Sequence, residues 1–124
     1  MTDAEPVNFL QLCPNDHPPF LDICEVHAAA AEQAGLSVRT VFLGPAYGEP
    51  MAHAEYLNQA DMRSSRRLGR ALARALGDVV EQPLDLALCH RYRALEAFRS
   101  SGLSAQRVLC VAHEFGFFRR ARRR

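Results

Sequence analysis

Apolar and polar positions along this chain fall into blocks of differing period, and each change of period marks an element. Val7-Asn8-Phe9-Leu10-Gln11-Leu12-Cys13 is a short, mostly apolar run that empties into Pro14-Asn15-Asp16-His17-Pro18-Pro19, a cluster of turn formers. This pattern predicts a buried strand, a tight loop and then a helix. Phe20, Ile23, Cys24, His27, Ala30, Ala31 and Ala34 recur at three- and four-residue steps, with Asp22 and Glu25 near the N-terminal end and Gly35 as a stop. That is the signature of an amphipathic helix. Ser37-Val38-Arg39-Thr40-Val41-Phe42-Leu43 follows as a second, β-branched strand that ends at Gly44-Pro45.

Residues 44–61 read as a Gly- and Pro-containing loop with a helical turn around His53 to Gln59. A connection of that length is usually functional or mobile. Helical spacing returns between Asp61 and Val80, with Leu68, Leu72, Ala75, Leu76 and Val79 on one face and Arg63, Arg67, Arg70 and Arg74 on the other. Pro83 stops that helix and introduces a third strand, Leu84 to Cys89; a short helix over Ala94 to Arg99 closes at Gly102, and Arg107 to Ala112 is a fourth strand. Alternating strands and helices predict a parallel α/β sheet covered on both faces. With the first strand central, the expected order of about four strands is 2-1-3-4, and the first helix lies alone on its face. The sheet is then incomplete at its C-terminal edge, where the fourth strand and Phe115, Phe117 and Phe118 have nothing to cover them.

Composition narrows the classes of function. A chain of 124 residues makes one domain, and its 48% hydrophobic content is that of a globular protein. Five of the fifteen basic residues are Arg119, Arg120, Arg122, Arg123 and Arg124, so the body without this tail is mildly acidic. We therefore read residues 1–118 as the domain and 119–124 as an Arg-rich tail, and expect no nucleic-acid partner. Met1 to Pro6 is acidic and lacks the features of a signal peptide, and no apolar run is long enough to span a bilayer. A cytoplasmic location is expected, and in that reducing compartment Cys13, Cys24, Cys89 and Cys110 are read as buried thiols. Each has a histidine nearby, but no paired Cys-x-x-Cys knuckle occurs, so no metal site is expected.

The polar turns after the strands carry the candidate chemistry, because open parallel sheets bind ligands at the carboxyl ends of their strands. No Gly-x-Gly-x-x-Gly, P-loop or Gly-x-Ser-x-Gly motif is present. His113, after the fourth strand and beside Glu114, is placed to stabilise developing charge or bind a sugar hydroxyl. Asn15, Asp16 and His17 suit a sugar hydroxyl or a cation better than a phosphate, because the Asp16 carboxylate itself repels an anion. His90-Arg91-Tyr92-Arg93 offers two guanidinium groups to an acidic acceptor or diphosphate. The arginine stripe between Asp61 and Val80 reads as a solvated face, or as one that rests on anionic lipid.

Taken together, Phe9-Leu10-Gln11-Leu12-Cys13-Pro14, the Ala-rich helix ending in Ala34-Gly35-Leu36-Ser37-Val38, Leu84 to Tyr92 and Val108-Leu109-Cys110-Val111-Ala112-His113-Glu114 resemble one family. It is the N-terminal, acceptor-side domain of GT-B glycosyltransferases, of the family-4 type that builds bacterial surface polysaccharide and lipopolysaccharide. The resemblance implies a Rossmann-like domain, His113 close to the transferred sugar as catalytic residue, and Asn15, Asp16, His17, His90, Arg91 and Glu114 as substrate-binding residues. It implies a glycan or lipid-linked acceptor, contact with the inner membrane face, and a nucleotide-sugar donor held by a C-terminal Rossmann-like domain that this sequence does not contain. No cofactor is expected on this domain alone, which by itself is expected to be inactive. Pro14 to Pro19 stands where many relatives carry a Gly-rich loop. The alternative reading is a stand-alone flavodoxin-like binding module that self-associates through its open sheet edge, with Arg107 to Phe118 at the contact.

Overall fold

A parallel strand buried on both faces needs an almost unbroken apolar run, and Phe9-Leu10-Gln11-Leu12-Cys13 forms the central strand, β1, with all five residues buried. The computed structural model describes residues 6–57, 64–80 and 82–112. After β1 (Phe9–Cys13) come α1 (Phe20–Gln33), β2 (Val38–Phe42), β3 (Ala54–Tyr56), α2 (Ser65–Leu76), β4 (Leu84–His90), α3 (Arg91–Ser101) and β5 (Ala105–Val111). They make one open, all-parallel sheet in the order β3-β2-β1-β4-β5. The expected order 2-1-3-4 is present as β2-β1-β4-β5. The added strand is β3, where a helical turn was expected; it pairs Ala54, Glu55 and Tyr56 with Thr40, Val41 and Phe42. Three half-buried residues at a sheet edge carry too short an alternation to be read from sequence.

Side-chain alternation divides β1 between two cores. Leu10 and Leu12 pack with Leu68, Leu72 and Leu76 of α2 and with Ala94, Ala97 and Phe98 of α3. Phe9 and Cys13 face the other way, toward Ala31 and Cys24 of α1 respectively. The buried stripe of α1 is Cys24, Ala28 and Ala31, whereas Ala30 and Ala34 are exposed. In α2 the Ser64 hydroxyl accepts from the Arg67 amide (3.2 Å), a cap for the first turn. Its buried stripe is Leu68, Gly69, Leu72 and Leu76. Arg66, Arg67, Arg70 and Arg74 are all exposed, whereas Val79, expected on the buried face, lies beyond the helix and is 38% exposed.

Among the described residues β5 pairs with β4 and with no further strand. Gln106 to Cys110 are exposed, Leu109 by 52%. Among the described residues the edge expected to be bare from the sequence is therefore uncovered. Cys110 lies on it, so the expectation of four buried thiols is corrected to three, with all four cysteines free. Phe115, Phe117, Phe118, the boundary at residue 118 and the Arg-rich tail lie outside the described residues. Among the described residues no helix is long and apolar enough to cross a membrane.

Candidate functional site

The strand order reverses direction between β1 and β4, since β1 leads outward to β2 and β4 leads outward to β5. A crevice opens at the carboxyl ends of strands at such a point. Here it is a cleft of about 340 Å³, lined by Pro14, Asn15 and His17 after β1, Gly44 and Pro45 after β2, and Arg91 and Arg93 at the start of α3. Three segments far apart in sequence thus meet in one place. Asn15, His17 and Arg91, all expected at the site, line it together.

Asp16 occupies a different position from its neighbours. It is 1% exposed, and its carboxylate accepts from the Tyr47 amide (2.9 Å) and from the Tyr56 hydroxyl (2.9 Å). The Tyr56 oxygen in turn accepts from the Met51 amide (3.0 Å). Burial, reinforced by the adjoining carboxylate, holds the Tyr56 hydroxyl above its ordinary pKa, so it stays a donor. Asp16, expected among the substrate-binding residues, therefore ties Tyr47 of the loop after β2 and Tyr56 of β3 to the loop after β1, which is a positioning task. Asp16→Ala is expected to cost about 2–3 kcal/mol in urea unfolding, since two hydrogen bonds to a charged group are lost. Faster amide exchange should then be concentrated in residues 44–57. Unchanged exchange there would contradict this role.

Asn15 and Tyr47 set the position of His17. The Asn15 side-chain oxygen accepts from the His17 amide (3.0 Å), a local turn that asparagine favours. The His17 ring lies 4.5 Å from the Tyr47 ring, centroid to centroid, and Tyr47 is 70% exposed. Tyr47 was not expected at the site. The sequence signal for it is an aromatic residue between Pro45 and Gly48 in a loop that follows a strand.

His90, expected to contact substrate, is fully buried and does not line the cleft. Its Nε2 lies 2.7 Å from the Gln11 side-chain oxygen. Gln11 Nε2 donates to the Cys24 carbonyl (3.0 Å) and to the Thr40 hydroxyl oxygen (3.0 Å), which fixes the orientation of the amide. Its oxygen must then face His90, so the His90 Nε2 carries a proton. The His27 ring lies 5.4 Å from that of His90, and the buried Nδ1 of His27 has no hydrogen-bond partner among the described residues. His90 thus anchors the end of β4 beneath the cleft, and the next residue lines it. Arg91 does so with a left-handed backbone, φ +72°, and its guanidinium lies 5.9 Å from the centre of the Phe20 ring.

Cys13 and Cys24 are fully buried below the same loop. The Cys24 thiol hydrogen-bonds to Cys13, which raises the pKa of Cys24, as does burial, and lowers that of Cys13. Burial pushes the Cys89 thiol up to about 12. These thiols are core groups. Among the described residues no three His, Cys, Asp or Glu side chains converge as metal ligands. His113 and Glu114 lie outside the described residues.

Sheet order and cleft together define a Rossmann-like α/β domain with a ligand-sized crevice at its switch point. Compared with protein-family models, curated proteins and solved structures, the chain matches none.

Proposed function

We propose that this chain is the acceptor-side, N-terminal domain of a sugar-nucleotide-dependent glycosyltransferase, with the cleft between β1 and β4 as its share of the active site. The observation that carries this reading is the meeting of Asn15, His17 and Arg91 in one crevice at the carboxyl edge of the sheet. Hydroxyl-rich ligands need such a set of polar groups at a rigid strand end. β5 ends on the same edge, and in this reading His113, two residues later in the sequence, approaches the transferred sugar. A second Rossmann-like domain would supply the nucleotide-sugar site, and without it transfer lacks the charge stabilisation that the donor requires. Peripheral contact with an anionic membrane face has its support in Arg66, Arg70 and Arg74, spaced along one side of α2 with no acid in its first turn.

The test is a titration of isotope-labelled protein with a set of oligosaccharides, followed at the backbone amides. Shifts confined to Asn15, His17, Gly44 and Arg91 are expected, with no turnover of nucleotide sugars above a His113→Ala control. Binding elsewhere, or none by any glycan, would overturn the reading. The exposure of Gln106 to Cys110 supports a second reading, a binding module that dimerises through β5. Sedimentation at micromolar concentration tests it: a monomer, unchanged by Leu109→Arg, rules it out.

A further inference from the structure

We infer that the cleft takes a ring-bearing anion, a sugar or polyol carrying a phosphate or carboxylate, whose charged group is held by Arg91 and Arg93 and whose ring rests on the Tyr47–His17 pair. The inference rests on the cleft being the ligand site of the reading above, and adds the charge and shape of the ligand.

Charge is the first argument. Among the described residues the lining contains two arginines and no acidic residue. The nearby acid, Asp16, is buried and both its oxygens are engaged by Tyr47 and Tyr56. Asp16 therefore makes no direct contact with an anion in the cleft, whose lining carries the two guanidinium groups instead. Guanidinium groups bind phosphate and carboxylate with paired, charge-assisted hydrogen bonds, so two of them at one small cleft favour an anion over a neutral ligand.

Shape is the second. A volume of about 340 Å³ is at the small end of ligand pockets, suited to a monosaccharide and not to a dinucleotide. Beside His17 stands Tyr47, 70% exposed, yet with its backbone amide held by Asp16 and its ring against the imidazole. A fixed, exposed aromatic ring is a ready surface for the apolar face of a sugar, with a hydroxyl at its tip. The third argument is strain. Arg91 keeps a φ of +72°, which glycine adopts freely and other residues only under strain. Such outliers cluster where a side chain must be presented in one direction.

Calorimetric titration of the whole chain at low salt compares glucose 6-phosphate, glucuronate, glucose and inorganic phosphate. At least one of the two charged sugars is expected to bind about tenfold or more tightly than either glucose or inorganic phosphate, and the stronger of the two identifies the anionic group. Arg91→Gly and Arg93→Gln should each weaken that binding about tenfold or more. Arg91→Gly suits the left-handed backbone, so its thermal midpoint should hold or rise while binding falls, which separates lost contact from lost fold. Tyr47→Ala should weaken the charged sugar and leave inorganic phosphate unchanged. Equal affinity for glucose would overturn this inference and leave the acceptor-cleft reading standing. Equal affinity for inorganic phosphate, with Tyr47→Ala silent, would overturn it in favour of a simple anion site. If none of the four binds, the inference fails, and the oligosaccharide titration separately decides the reading on which it rests.

Discussion

Replacing Gln11 with leucine is expected to destabilise the domain by about 3 kcal/mol, although it puts an apolar residue of similar size into the centre of a buried strand. Gln11 is fully buried and joins three elements: it accepts from His90 of β4 and donates to Thr40 of β2 and to the Cys24 carbonyl of α1. Leucine satisfies none of them. The imidazole N–H is the costliest loss, because a buried donor deprived of its acceptor forfeits about 1–3 kcal/mol, and the Thr40 hydroxyl and the helix carbonyl add smaller amounts. Urea unfolding of the variant measures the total. A double replacement of Gln11 and His90 by leucine should recover a large part of the loss, because removing both partners leaves fewer orphaned groups than removing one. If the single variant is as stable as the parent, the network is not what holds β1, β2 and β4 in register beneath the cleft.

Gly69→Ala is the second large effect, and here helix propensity argues in the wrong direction. Alanine is favoured over glycine inside a helix by about 1 kcal/mol, and Gly69 lies in the interior of α2. Packing decides otherwise: a Cβ at Gly69 would lie 2.6 Å from both the carbonyl carbon and the Cβ of Ser100, and 2.8 Å from its carbonyl oxygen. Two of those atoms are backbone, so no side chain can swing aside. The helices α2 and α3 must separate, which loosens Leu68, Leu72, Ala97 and Phe98 in the larger core. A net loss of about 1–3 kcal/mol is expected, seen as a lower thermal midpoint, with Gly69→Val worse than Gly69→Ala. A rise in the midpoint would mean that the helices have room to part.

The chain's own pattern determined most of the scaffold. Four of the five strands and all three helices could be read from it, because β-branched runs, helical spacing and Gly or Pro stops are local signals that the sheet then uses unchanged. The order of those strands followed from the right-handed crossovers and from the burial that an apolar strand such as Phe9 to Cys13 demands. The edge position of β5 followed too, since it is the last strand that the pattern shows. Sequence position alone also marked Asn15, His17 and Arg91, each just past the end of a strand.

What the sequence could not assign was which polar group in each turn faces out. Asn15, Asp16 and His17 are consecutive, yet two line the cleft while Asp16 is buried under Tyr47 of the loop after β2 and Tyr56 of β3, 31 and 40 residues away. His90 and Arg91 divide in the same way, the imidazole inward to Gln11 and the guanidinium outward, through a left-handed turn that no propensity favours for arginine. β3 depended on pairing with β2, and the fit of Gly69 on the Ser100 backbone depended on two helices meeting. In each case the deciding energy is a contact between distant segments. Local pattern carries the period of an element and the face it buries, whereas the partner that satisfies a buried polar atom exists only once the chain has folded.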